Sequence, residues 1–300
     1  MTSVLKMTSS VLSKNLRVAL IQFHSGSDKS ANLQKCKEFI HIALTKDPKL
    51  DMIVLPECWN SPYSVNEFKN YSENIPNGET TKFLSDLAKK NKIIIIGGSY
   101  PELTSDDEVY NTSVSFDRNG EIIAKHRKAH LFDIDIPNKI TFKESISLKA
   151  GNKATVFELP EYGNVGLGIC YDIRFPELAM IAARPPNNAF AMIYPGAFNT
   201  TTGPLHWHLL ARARAVDNQF YTIVCSPARN LEGSYHAYGH SLVVDPSGNI
   251  IAEAGEGEEI VYAELDKDLV ENTRAGIPVT VQRRFDIYKN VTDDAVVSDK

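Results

Sequence analysis

The sequence predicts an α/β fold built as one domain, and three observations carry that prediction. Short, wholly apolar runs alternate with segments of helical apolar spacing, the pattern of buried strands joined through helices. This rhythm occurs twice, and each time it closes on a hairpin turn, Asp117-Arg118-Asn119-Gly120 in the first half and Pro246-Ser247-Gly248-Asn249 in the second. No linker separates the halves. The result reads as a duplicated architecture without a residue-level repeat.

Residues 16–23 form the first apolar strand, and residues 31–46 a helix with Leu33, Cys36, Phe39, Ile40, Ala43 and Leu44 at helical spacing. Residues 52–55 are a second strand, ending at Pro56-Glu57, and Asn60-Ser61-Pro62-Tyr63 belongs to the loop beyond it. Residues 80–91 are helical through Phe83, Leu84, Leu87 and Ala88, and residues 93–98 are a short strand. Residues 110–116 and 121–126 flank the first hairpin turn. Residues 165–169 carry Gly166 and Gly168 in an apolar run, the mark of a buried strand that something approaches closely. Pro176 and Glu177 suit the first turn of the helix that follows. A strand at 190–195, a helix at 205–218, a strand at 221–225 and a hairpin of 241–245 with 250–254 complete the pattern. Residues 1–15 are expected to be a flexible tail, 16–288 the domain, and 289–300 a polar C-terminal tail.

Composition narrows the function. Apolar residues make up 43% of the 300, enough for a sizeable core, and a net charge of −5 leaves no basic stripe to neutralise phosphates, so nucleic acid is not expected as a partner. No apolar run approaches the ~20 residues of a membrane span. Cys36, Cys58, Cys170 and Cys225 form neither a C-x-x-C pair nor a zinc pattern and suit a reducing compartment. Asn111, Asn199 and Asn290 open glycosylation triplets, which mean little without a secretory signal. No acid precedes Asp28, as in mitochondrial presequences, yet arginine is sparse and the first strand begins by about residue 16. A cytoplasmic protein is expected, with mitochondrial import the alternative.

Cys170 stands at a joint between strand and helix, where a helix N-terminus would stabilise a thiolate, and is the strongest nucleophile candidate; the alternative is a small buried core residue. A thiolate attacking a carbonyl needs a base and a positive charge near the oxyanion. No histidine is marked as that base. His206 and His208, two apart on a helix, face different ways and form no metal pair, and Gly239 argues against a helix that would align His236 with His240 as ligands. Glu57 sits at the carboxyl end of a strand, where α/β proteins place their sites; a loop acid or helix cap is the alternative. Lys128, within His126-Arg127-Lys128-Ala129-His130, reads alone as part of a solvated basic face, and Glu144 alone has no distinction.

Together, Leu55-Pro56-Glu57, His126-Arg127-Lys128 and Gly168-Ile169-Cys170-Tyr171-Asp172-Ile173-Arg174-Phe175-Pro176-Glu177 resemble the carbon–nitrogen hydrolases of the nitrilase superfamily. The resemblance spans about residues 16–288 and implies an αββα sandwich of two mixed sheets with pseudo-two-fold halves. It implies a catalytic triad of Glu57 as general base, Lys128 as oxyanion partner and Cys170 as nucleophile, with Glu144 as a supporting acid and no metal or organic cofactor. Asn60-Ser61-Pro62-Tyr63, residues 130–137 and residues 203–215 resemble the ω-amidase branch. That branch implies 2-oxoglutaramate and 2-oxosuccinamate as substrates, released as 2-oxoglutarate or oxaloacetate and ammonia. Arg174 would hold the substrate carboxylate as a bidentate fork, with a structural salt bridge as its alternative. Thr202 and the backbone near Phe198 would add carboxylate contacts, Tyr63 a pocket wall or hydroxyl donor, and the Tyr171 N–H an oxyanion contact. The resemblance also implies a homodimer. The alternatives are an amidase for deaminated glutathione or an N-carbamoyl compound with the same triad, a catalytically silent scaffold, and a redox-sensing thiol protein.

Overall fold

The computed structural model describes residues 11–233 and 235–297. The first half contains β1 (Leu16–Gln22), α1 (Lys29–Lys46), β2 (Met52–Val54), α2 (Phe68–Tyr71), α3 (Glu79–Asn91), β3 (Ile94–Ile96), β4 (Tyr100–Leu103), β5 (Val109–Phe116) and β6 (Ile122–Arg127). A small hairpin of β7 (Asp133–Ile136) and β8 (Ile140–Lys143) follows. The second half contains β9 (Thr155–Leu159), β10 (Gly163–Leu167), α4 (Pro176–Ala183), β11 (Ala191–Pro195), α5 (Gly203–Asn218), β12 (Tyr221–Cys225), β13 (Leu242–Val244), β14 (Ile250–Glu253), β15 (Glu259–Leu265) and α6 (Lys267–Gly276).

The strands form two mixed sheets on one plan. The first has the order β15-β1-β2-β3-β5-β4, with β6 also paired to β5; β1, β2 and β3 run parallel and the flanking pairs are antiparallel. The second has the order β14-β13-β12-β11-β10-β9, with β10, β11 and β12 parallel at its centre. Side chains alternate across each strand. Leu16, Val18 and Leu20 of β1 meet Val165, Leu167, Ile193 and Ile223 between the sheets. Ala19 and Ile21 point the other way, onto a layer with Leu33 and Ile40 of α1 and Leu84 and Ala88 of α3. Trp207, Ala211 and Ala215 of α5 and Ala179 of α4 cover the outer face of the second sheet. The architecture is therefore an αββα sandwich, and coverage of both faces is why its central strands read as unbroken apolar runs.

The tails differ from expectation. Residues 1–10 lie outside the described residues, but the ordered chain begins before residue 16, because Leu12 fills the inter-sheet core and the Ser13 N–H donates to the Tyr162 carbonyl at 2.8 Å. At the other end, the Val296 carbonyl accepts from the Ala154 N–H at 2.8 Å and Asn290 accepts from Arg184 at 3.3 Å, so the polar C-terminal segment lies against the second half.

Candidate active site

Four strand ends supply one buried cluster. Glu57 follows β2, Lys128 follows β6, Glu144 follows β8 and Cys170 follows β10. Lys128 Nζ lies 3.0 Å from Glu57 Oε1 and 2.8 Å from Glu144 Oε1, and all three side chains are wholly excluded from solvent. Each carboxylate oxygen has a donor. Glu57 Oε1 also accepts from Asn111 Nδ2 at 2.8 Å, and its Oε2 accepts from the Ala197 N–H at 2.7 Å. Glu144 Oε1 also accepts from the Tyr63 hydroxyl at 2.7 Å, and its Oε2 from the Phe132 N–H at 2.7 Å. Charge buried this deeply is tolerable only when paired and hydrogen-bonded on all sides, as here. Asn111 is thereby a buried site residue, not an accessible glycosylation acceptor.

Cys170 is 3% exposed, and its thiol lies within electrostatic reach of Glu57, Lys128 and Glu144. Its backbone has φ of 48°, a left-handed conformation uncommon outside glycine. Gly196 permits this turn to pack, since a Cβ there would stand 3.1 Å from Cys170 Cα. The helix-dipole argument for a lowered thiol pKa does not hold. Cys170 opens a 3-10 turn through Arg174, and α4 starts only at Pro176. Burial first, then the Glu57 charge, push the Cys170 thiol well above its usual pKa. Burial likewise raises Glu57, against the pull of Lys128. For Lys128, burial favours loss of the proton, but Glu144 and then Glu57 outweigh it, and its pKa is raised well above the ordinary value. The resting cluster is thus a neutral thiol beside a carboxylate whose raised pKa lets it accept that proton, and an ammonium that stays charged.

A second buried network pins the nucleophile turn to the strand that carries Lys128. Asp172 Oδ2 accepts from the Ile169 N–H at 2.9 Å and lies 3.0 Å from His126 Nε2; Oδ1 accepts from the His130 N–H at 2.9 Å and lies 2.7 Å from His130 Nδ1. Burial alone would raise Asp172, but the bonds from His126 and His130 dominate and hold it well below the usual carboxylate range. His126 is anchored in turn by Thr155 at 2.9 Å. Asp172 was within the quoted motif, yet nothing in its residue type announced this task.

The remaining expected site residues separate into walls, a cation and a turn residue. Tyr63 packs on Tyr235 with ring centroids 4.4 Å apart, and Tyr171 packs edge-on against Phe132 at 5.2 Å. A cavity of about 90 Å³ is lined by Glu57, Tyr63, Ala197 and Tyr235, with His24 and Asn230 also in its wall. Arg174 is half-buried over the Phe198 ring, 4.7 Å from its centroid, with His206 Nδ1 3.1 Å from Nη1. Among the described residues no carboxylate lies within salt-bridge distance of it, so the salt-bridge alternative for Arg174 does not hold. Thr202 departs from expectation: its hydroxyl donates to Asn199 Oδ1 at 3.1 Å and its N–H to the same oxygen at 2.9 Å, in the turn that leads into α5.

Fold and site together define a class. The carbon–nitrogen hydrolase family profile matches residues 17–275, and the chain belongs to that family of the nitrilase superfamily, hydrolases of carbon–nitrogen bonds other than peptide bonds. It is similar to the omega-amidase NIT3 of Saccharomyces cerevisiae, 58% identical over 288 residues that cover 94% of this chain and 98% of that one. It is also similar to the omega-amidase NIT2 of Homo sapiens, 49% identical over 274 residues that cover 91% and 97%. The crystal structure of Saccharomyces cerevisiae Nit3, a member of branch 10 of the nitrilase superfamily, matches with a TM-score of 0.86 at 54% identity, covering 93% of this chain and 100% of that one. No helix among the described residues is long and apolar enough to cross a membrane.

Proposed function

We propose that the protein is an ω-amidase that hydrolyses 2-oxoglutaramate and 2-oxosuccinamate to 2-oxoglutarate or oxaloacetate and ammonia through a thioester on Cys170. The observation that carries this reading is the half-buried Arg174 guanidinium without a carboxylate partner among the described residues. Burial lowers its pKa, a cost that a substrate carboxylate would offset by supplying the missing anion, four residues from the nucleophile.

In this mechanism Glu57 takes the proton from the Cys170 thiol as sulfur attacks the amide carbonyl. Lys128 has three N–H donors; Glu57 and Glu144 engage two, and the third meets the developing oxyanion together with the Tyr171 N–H. Glu57 returns its proton to the leaving nitrogen, ammonia departs and the thioester remains. Water then attacks that carbonyl, giving its proton to Glu57, and collapse of the second tetrahedral intermediate returns the proton to sulfur. Glu144 holds Lys128 in place and is itself held by Tyr63.

Arg174→Ala tests the substrate class. A charged hydrogen bond of about 2–3 kcal/mol corresponds to a loss of roughly 10²-fold in kcat/KM on 2-oxo-acid amides, with neutral amides little affected. Equal losses on both would make Arg174 structural. Faster ammonia release from the deaminated glutathione tripeptide or an N-carbamoyl compound than from 2-oxoglutaramate would favour those alternatives. A homodimer belongs to the same proposal, supported by exposed Leu205, Leu209 and Val216 on α5; a one-chain mass in solution would remove it.

A further inference from the structure

Three residues from three elements converge beside the outer helix of the second sheet. His208 lies on α5, His240 in the segment before β13, and Glu253 ends β14. His208 Nε2 stands 2.7 Å from Glu253 Oε1, and His240 Nδ1 stands 3.0 Å from the same oxygen. One ligand-capable atom of each lies within 4.8 Å of the other two, the one such group of His, Cys, Asp and Glu among the described residues. The ring of Tyr238 braces both imidazoles, with centroids 6.0 Å from His208 and 4.4 Å from His240. His240 holds a left-handed backbone with φ of 58°, and its carbonyl accepts from Trp207 Nε1 at 2.7 Å, which fixes the direction of its ring relative to α5. The three side chains keep 21–33% exposure, so an ion has a way in. No lysine or arginine among the described residues pairs with Glu253, whose charge is met by imidazoles alone.

We propose that His208, His240 and Glu253 form a binding site for a divalent metal ion of the zinc class, held by two imidazole nitrogens and one carboxylate oxygen. Two imidazoles and a carboxylate are a donor set that such ions favour, with water in the fourth position. A tetrahedral ion with bonds of about 2.0–2.1 Å sets its ligand atoms roughly 3.3 Å apart, so the present contacts open by a few tenths of an ångström to admit it. Each ring presents a bare nitrogen to the ion, which takes the place of the two direct contacts to Glu253. The ligands are separated by 45 and 13 residues along the chain, so no local histidine spacing could reveal them, and the sequence reading expected no metal. The bound ion ties α5 to the β13–β14 hairpin.

The test titrates Zn²⁺ into the metal-free full chain against a chromophoric chelator, in a Cys170→Ala background that removes the nucleophile thiol as a competing ligand. One zinc per chain is expected, bound at least tenfold more weakly after His208→Ala or His240→Ala, and Zn²⁺ should raise the thermal midpoint of the background protein but not of these variants. Glu253→Gln, which keeps the side chain's shape, should weaken binding in the same way and serves if a histidine variant does not fold. Co²⁺ should give the d–d absorption of a tetrahedral nitrogen–oxygen site. Superimposable Zn²⁺ isotherms for the background and the substituted proteins, or no Co²⁺ bands at saturation, would overturn the proposal.

Discussion

Replacing Lys128 by methionine removes the one positive charge from the buried cluster while nearly keeping its volume. The ammonium contacts two carboxylates, at 3.0 and 2.8 Å, and all three side chains are fully buried. At an effective dielectric near 20, each contact is worth about 5–6 kcal/mol of attraction, set against a desolvation cost of several kcal/mol for each ion. Deleting one partner strands the others, so Lys128→Met is expected to cost about 3–5 kcal/mol of stability near pH 8. The loss must depend on pH. Without the ammonium, burial and mutual repulsion raise a carboxylate pKa in the folded state further above its unfolded value of about 4.3. The folded variant then binds more protons than the unfolded chain, so its stability falls as pH rises through that window and recovers as pH falls. Denaturant midpoints of wild type and variant, measured from about pH 5 to about pH 8, check this. A gap that narrows toward acid is expected; a gap that is absent, or equally wide throughout, would refute the charge-cluster argument. Turnover should fall about 10²–10³-fold, the scale of losing a preorganised oxyanion partner.

Three further outcomes follow from the same geometry. Tyr63→Phe removes the hydroxyl that donates to Glu144 Oε1, and is expected to lower kcat roughly tenfold with KM little changed; a change confined to KM would place Tyr63 against the substrate instead. Asp172→Asn turns one acceptor oxygen into a donor facing the Ile169 N–H or the His130 N–H, and should cost about 2 kcal/mol near neutral pH by denaturation. Because the folded Asp172 pKa is depressed, that cost should be present above about pH 3.9 and shrink as pH falls below it; a cost that persists undiminished in acid would contradict the network's role. The kcat/KM profile should lose activity on the acid side above the ordinary carboxylate pKa, since burial raises Glu57 and the base must be ionised; an acid limb at or below about 4.3 would contradict that.

Much of the fold was legible because both sheets are covered on both faces. Runs such as Met52–Val54, Ala191–Pro195 and Tyr221–Cys225 are wholly buried and contain no polar residue to confuse the period, apart from Thr222. What escaped were edge and half-exposed elements. β4 contains Pro101 and Glu102, β7 and β8 alternate between half-buried and exposed, and β15 crosses from Glu259 to Leu265 with only two buried positions. The candidate site divides in the same way. Glu57 and Cys170 were marked by position at strand ends. Lys128 and Glu144 stand out only by resemblance, because a buried lysine and a buried glutamate look in sequence like solvated ones. Asn111 and Asp172 act by placing other groups, and the partners that give them meaning lie 54 and 42–46 residues away.

The proposed covalent acyl intermediate on Cys170 can be caught by mass spectrometry of the protein acid-quenched during turnover of 2-oxoglutaramate. A 2-oxo-dicarboxylic acyl group is expected on the peptide that contains Cys170, and, for Cys170→Ala, a folded protein with neither adduct nor turnover. Substantial hydrolysis by Cys170→Ala, or an acyl group carried on another residue, would contradict it.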